Sequence, residues 1–309
     1  MITVCTSRKV ATVWHREVLF SLLSLAFGLA TVITGLAAEE MSIRELESQA
    51  RIAYRAGRPK EAFTLANRAI ASEPENPRGY LLRGKLHAEN HEPAQAIPDY
   101  DQCIKLNPRL ADAWQQRGIE HFKLGHISES ITNFDKFIEL VPQQSPYHWQ
   151  RGISLYYANR FEEGRKQFEL HQVVNSNDVE NAVWHFLCVA RASGLDKARA
   201  VLIPIQGDTR VPMKQVHALF AGKLHPDEVL NAATIGDPPK PQLDRQLFYA
   251  HLYLGLYFEA IGDDGKAREH ISKAAGEFQS GDYMGDVARV HRQLRWPEEK
   301  SSSNEDKSP

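Results

Sequence analysis

Thirteen histidines make metal binding and acid–base work the first chemistry to test. The tightest pairing is His87 with His91, one helical turn apart, with Glu89 between them. A zinc-peptidase helix needs HExxH, in which the Glu directly follows the first His. Here Glu89 comes two positions after it, so the pair reads as packed or solvated, and no metal is expected. No P-loop, GxGxxG or GxSxG elbow occurs in the chain. The three cysteines, Cys5, Cys103 and Cys188, form neither a disulfide framework nor a zinc-ligand spacing. Cys103 and Cys188 fall on apolar helix faces and read as buried thiols. No catalytic residue and no cofactor follow from these patterns, which argue against an enzyme.

Charge excludes a further class. The formal net charge is −2. With Arg8, Lys9, Arg16 and Glu17 of the leader set aside, 34 basic and 38 acidic side chains remain. That is the wrong sign for a phosphate backbone, so no nucleic-acid partner is expected.

The leader itself has a direction. A basic stretch ends at Arg16, and Val18 to Ala38 then runs 21 residues without a charge. A basic segment, an apolar run and the small residues Gly35 and Ala37 are the parts of a secretory signal, cleaved after Ala37. The run is also long enough to span a bilayer, so an uncleaved anchor is the alternative. Either way residues 1–38 predict a body outside the cytoplasm, periplasmic or on the outer face of the membrane, touching the membrane only through this segment. Cys5 precedes the run, whereas a bacterial lipobox places its Cys just after it.

The elements that position any site repeat. Pro74, Pro108 and Pro142 lie 34 residues apart, as do the pairs Arg83-Gly84, Arg117-Gly118 and Arg151-Gly152. Counting Ile43 as position 1 gives units 43–76, 77–110, 111–144 and 145–178. Position 8 reads Ala50, Gly84, Gly118 and Gly152; position 20 reads Ala62, Ala96, Ser130 and Gly164; position 24 reads Ala66, Tyr100, Phe134 and Phe168. Positions 4, 8 and 11 share one helix face and 20, 24 and 27 another, so small residues at 8 and 20 let two helices approach closely. Pro59 and Pro93 open second helices, and Pro at position 32 ends them. Pro98 falls inside a second helix and predicts a kink.

This pattern resembles the tetratricopeptide repeat (TPR), a 34-residue helix–turn–helix. The resemblance implies an all-α, right-handed TPR solenoid in which neighbouring pairs stack to bury a shared core. After residue 178 the period fades into an irregular helical segment (179–247), with helices expected near 181–192, 196–203, 212–221 and 226–233. A late repeat returns at 248–281, residues 282–296 cap the array, and 297–309 read as a disordered tail. Three stretches narrow the resemblance: RGISLYYANR (151–160), VWHFLCVA (183–190) and LYLGLYFEAIGDDGKAREHISKAA (252–275). They are similar to the bacterial periplasmic TPR lipoproteins called new lipoprotein I. That likeness implies a scaffold for cell-wall peptidases or a processing protease, although the lipobox of that family is missing.

In TPR proteins, positions 2, 5, 9, 12 and 13 of the first helix line a concave groove. Here those positions supply Arg51, Tyr54 and Arg55 from unit 1, and Arg78 and Lys85 from unit 2. Unit 3 adds Gln115 and Phe122, and unit 4 adds Trp149, Ile153, Tyr156 and Tyr157. The groove is expected to be basic at its N-terminal end and aromatic at the other, and to bind protein or peptide partners. Two alternatives stand: helix 181–192 packs into the aromatic end, or the repeats chiefly build a homodimer. Chaperone-binding TPRs clamp a carboxylate with Lys at position 5 and Asn at position 9, and this chain has neither. The arginines at position 7 (Arg83, Arg117, Arg151) read as struts between repeats, with a ligand carboxylate as the other possible partner.

Overall fold

The signals that begin and end each helix recur with the period. Ser42 caps the first helix through a capping box with Glu45, and Asn76 accepts from the backbone N–H of Arg78 at the start of the third. Pro59, Pro77 and Pro93 stand at first helical positions, where a missing N–H costs nothing. Position 15 closes every first helix in the left-handed region: Gly57, His91, Gly125, Asn159 and, in the late repeat, Gly262 all have positive φ. Glycine suits that conformation and Asn tolerates it. His91 is therefore a turn residue.

The computed structural model describes residues 41–297, so the expected leader and most of the expected tail lie outside the described residues. The repeat region is four helix pairs: α1 (Ile43–Arg55) with α2 (Pro59–Ser72), α3 (Pro77–Glu89) with α4 (Pro93–Leu106), α5 (Ala111–Lys123) with α6 (Ile127–Leu140), and α7 (Trp149–Tyr157) with α8 (Phe161–Val174). α4 runs through Pro98 without a break. The fourth pair departs from the period. A 3₁₀ segment, Pro142–Tyr147, replaces the first turn of its first helix, so α7 begins four residues late.

The irregular middle follows as α9 (Val179–Ser193), α10 (Leu195–Ala200), α11 (Met213–Phe220) and α12 (Pro226–Thr234). The late repeat is α13 (Lys240–Ala260) with α14 (Asp264–Ala275), and α15 (Tyr283–Arg295) ends the array. Nearly every helix packs on the next, as in a solenoid, α10 with α11 being the exception, and further contacts skip along the chain. α9 also meets α7, α11 and α13, and α15 turns back to meet α5. No helix among the described residues is long and apolar enough to cross a membrane.

One pairing rule holds the units. The residue at position 24 lies against position 8 of the same unit. A Cβ on Gly84 would stand 2.7 Å from Tyr100, on Gly118 2.7 Å from Phe134, on Gly152 2.7 Å from Phe168 and on Gly255 2.6 Å from Ile271. Unit 1 makes the same face from Ala50 and Ala66, both fully buried. Glycine is required wherever position 24 carries a bulky side chain.

Candidate functional site

The position-7 arginines tie each repeat to the one before it. Arg83 forks onto Asp99 at 2.7 and 2.9 Å and reaches Asn67 of the preceding unit at 2.8 Å. Arg117 does the same with Asn133 and Asp101, and Arg151 with Gln167 and Asp135. Every arginine thus holds position 23 of its own unit and position 25 of the previous one. Their donors are shared between their own repeat and the preceding one, which is the strut reading.

The basic end of the groove divides in two. On α1, Arg51 and Arg55 are exposed, and Tyr54 is half-buried against the unit 1 core. Burial, then the carboxylates of Glu89 and Glu92, raise the Tyr54 hydroxyl above its ordinary range. Arg44, Arg51 and Arg55 have no ion-pair partner among the described residues. In unit 2, by contrast, Arg78 pairs with Glu47 and Lys85 with Asp112. Gln115 donates to Gln150 at 3.1 Å and bonds His148 Nε2 at 2.6 Å. These three side chains join adjacent first helices across the groove floor.

The aromatic end is occupied by the chain itself. Phe122, Ile153, Tyr156 and Tyr157 are buried, and Trp149 is partly so. Helix α9 contributes Trp184, whose ring lies 5.4 Å from Tyr156, edge to face. Further cover comes from α15, whose docking here no local sequence signal specified. Tyr283 stacks on Phe122 at 5.1 Å and meets Trp149 edge-on at 5.1 Å. Tyr157 Oη shares a 3.0 Å hydrogen bond with His291 Nδ1.

Glu259 of α13 locks this closure. It accepts from Tyr156 at 3.1 Å and from Arg295 at 2.6 Å, with Arg191 at 3.6 Å. Burial pushes His291 down to about 4 although Glu259 pulls the other way, so the imidazole is neutral near pH 7. The expectation of an open aromatic groove is corrected: Phe122 and Tyr157 are covered by α15, and Tyr156 by Trp184 of α9, the packing of helix 181–192 given as the alternative. The late, amphipathic 283–295 segment was the only sequence signal for that partner, and nothing in it specified the docking face.

None of the groups singled out at first is arranged for catalysis. His87 Nδ1 bonds Glu92 at 2.7 Å and its ring lies against Phe63, while His91 forms the turn. Among the described residues no three His, Cys, Asp or Glu side chains converge to hold a metal. Burial pushes the Cys103 thiol up to about 12 and raises Cys188 as well, which suppresses the nucleophilic thiolate.

Residues 48–114 match the tetratricopeptide repeat family. No curated protein matches the chain. Among solved structures, a tetratricopeptide repeat protein from Parabacteroides merdae superposes with a TM-score of 0.52 at 15% identity, covering 82% of this chain and 98% of its own. MamA from Desulfovibrio magneticus (residue 41 to its end) gives 0.47 at 14% identity, covering 51% of this chain and 89% of its own. YrrB, described as a TPR protein with an unusual peptide-binding site, gives 0.41 at 18% identity, covering 73% and 97%. The chain thus carries tetratricopeptide repeats and is built on their fold.

Proposed function

We propose that this chain is a non-enzymatic adaptor that holds partner proteins on the open, N-terminal part of its concave face. One observation carries the reading: Arg51 and Arg55 stay exposed and unpaired among the described residues, while the groove beyond them is neutralised by ion pairs or filled by α15. An acidic, extended segment of a partner fits such a surface, with Tyr54 offering an amphipathic contact. The leader at residues 1–38 supports an exported adaptor in a bacterial envelope. The resemblance to new lipoprotein I supports cell-wall peptidases or a processing protease as the partner class.

Crosslinked pull-downs from envelope extract, comparing the wild-type chain with R51E/R55E, test this surface. The charge reversal should abolish capture and leave the melting temperature nearly unchanged. Equal capture by the two proteins would sink the groove reading. Alkaline phosphatase fused after Ala38 tests the location: an active fusion supports export, and an inactive one beside an active cytoplasmic reporter overturns it.

Self-association is the second reading, and a specific surface favours it. Tyr147 in the 3₁₀ segment and Leu170, Val173 and Val174 on α8 are exposed apolar side chains, Val173 at 80%. Light scattering over a range of concentrations decides it. A V173E/L170K variant should remain monomeric if this patch builds a dimer.

A further inference from the structure

Where α7, α8 and α9 face Tyr249 of α13 and the first turn of α15, the closure is incomplete. A cavity of about 310 Å³ remains. Aromatic rings make much of its wall: Trp149, Phe168, Trp184, Tyr249 and Tyr283. Its carboxylates are Asp178, Glu180 and Asp282, and no Lys or Arg borders it. Arg210, outside the lining, pairs with Asp178, Glu180 and Asp208, so one cation serves three carboxylates. Asp282 has no cationic partner among the described residues. Its oxygens cap α15 through the Gly285 N–H and accept from Tyr249 at 3.4 Å.

Two wall residues keep a polar atom unused. Asn181 Oδ1 and Trp184 Nε1 have no hydrogen-bond partner, although these residues are only 3% and 2% exposed. Buried polar atoms are rarely left so. Aromatic faces under a negative potential attract organic cations through the ring quadrupole as well as through charge. The volume lies at the small end of the ligand-pocket range, suited to one long side chain.

We infer that this cavity takes the arginine or lysine side chain of a partner polypeptide. The stem lies against the rings and the cationic head goes to the carboxylates, Asp282 above all. The site is separate from the Arg51–Arg55 surface and carries the opposite charge preference, so it stands whether or not that surface binds.

The test uses the full-length chain and blocked tripeptides, acetyl-Gly-Arg-Gly-amide and its neutral citrulline isostere, read by the indole N–H signals of Trp149 and Trp184. The arginine peptide should shift both signals saturably, and the citrulline peptide should bind about tenfold more weakly. D282N keeps a competent helix cap, because Asn caps about as well as Asp, and should weaken the arginine peptide about fivefold. Circular dichroism and melting of D282N confirm that α15 is retained. Equal binding of the two peptides, or no shift of either indole, overturns the inference. So does n-butylguanidinium binding as tightly as the peptide, which would assign the cavity to free cations. Silent indoles in a chain that still captures partners through Arg51 and Arg55 remove the cavity and leave the groove reading intact.

Discussion

The core of the first units and the core beyond them are made of different residues. Around α1–α3 the buried set is Ile43, Leu46, Leu65, Leu82 and Leu86 with five alanines, and contacts run only to the next repeat. From Phe122 to Val290 one continuous cluster carries Trp184, Tyr156, Tyr157, Tyr253 and six phenylalanines. Side-chain bonds there tie residues more than a hundred positions apart, as Tyr156 to Glu259 and Tyr157 to His291. The first region is a chain of neighbours whose stability adds up locally. The second is closed on itself by α9 and α15, so its parts should stand or fall together.

The sharpest way to break that contrast is to remove Trp184, the largest fully buried side chain, which lies near Tyr156, Tyr157 and Phe168. Trp184→Ala should cost about 4 kcal/mol. The loss should melt α7–α15 as a block while α1–α4 keep their amide protection. Uniform loss of protection along the whole chain would show one cooperative unit instead of two.

Acid should separate the regions next. Burial holds both His148 and His291 down to about 4. An unfolded histidine titrates near 6.5, so between these values the unfolded chain binds more protons than the folded one. The stabilisation is complete above roughly pH 6.5 and is lost as pH falls towards 4. The loss amounts to on the order of 3 kcal/mol per group below both values. His148 joins units 3 and 4, and His291 holds α15 on Tyr157, so release of the closure should precede unfolding of α1–α4. His291→Gln should shift the acid midpoint of that first step. An unchanged midpoint would remove His291 from the account.

How much of this was readable in the sequence follows the same division. The 34-residue period placed the first three helix pairs, the small residue at position 8 and the arginine struts, because each depends on contacts within a unit or to its neighbour. It located every groove residue on its helix. It allowed for helix 181–192 packing at the aromatic end, as Trp184 does on Tyr156, but could not show that Tyr283 and His291 would cover Phe122 and Tyr157, because no local rule fixes where a terminal helix docks. Trp149 was also read as a groove residue. Its part in a cavity depends on Tyr283 reaching it from α15.

A smaller effect tests the pairing of positions 8 and 24. In Gly118→Ala the new Cβ would stand 2.7 Å from two ring carbons of Phe134, so the ring must move. The cost should be about 2 kcal/mol. In a Phe134→Ala background the same change should cost far less, because Ala opposite Ala is what unit 1 already uses at Ala50 and Ala66. A double-mutant cycle measures the difference. Additive costs would mean that the glycine is there for another reason.

The smallest expected effect probes whether the first unit is as independent as a linear array implies. Ser42 Oγ accepts from the Glu45 N–H at 3.4 Å, and the Glu45 carboxylate accepts from the Ser42 N–H at 2.8 Å. Between them they satisfy backbone donors at the start of α1 that no helical bond can reach. Ser42→Ala removes the hydroxyl and should cost about 1 kcal/mol of helix stability. If units 1 and 2 couple only to their neighbours, that loss appears as faster amide exchange through α1 and α2, fades in α3 and α4, and is absent from α9 and α15. The Trp184→Ala variant should show the mirror image, with exchange fast from α7 onward and slow at the N-terminus. If Ser42→Ala instead accelerated exchange in α15, the closure would reach back through α5 to the first repeat, and the open Arg51–Arg55 surface would be energetically linked to the cavity at the other end of the groove.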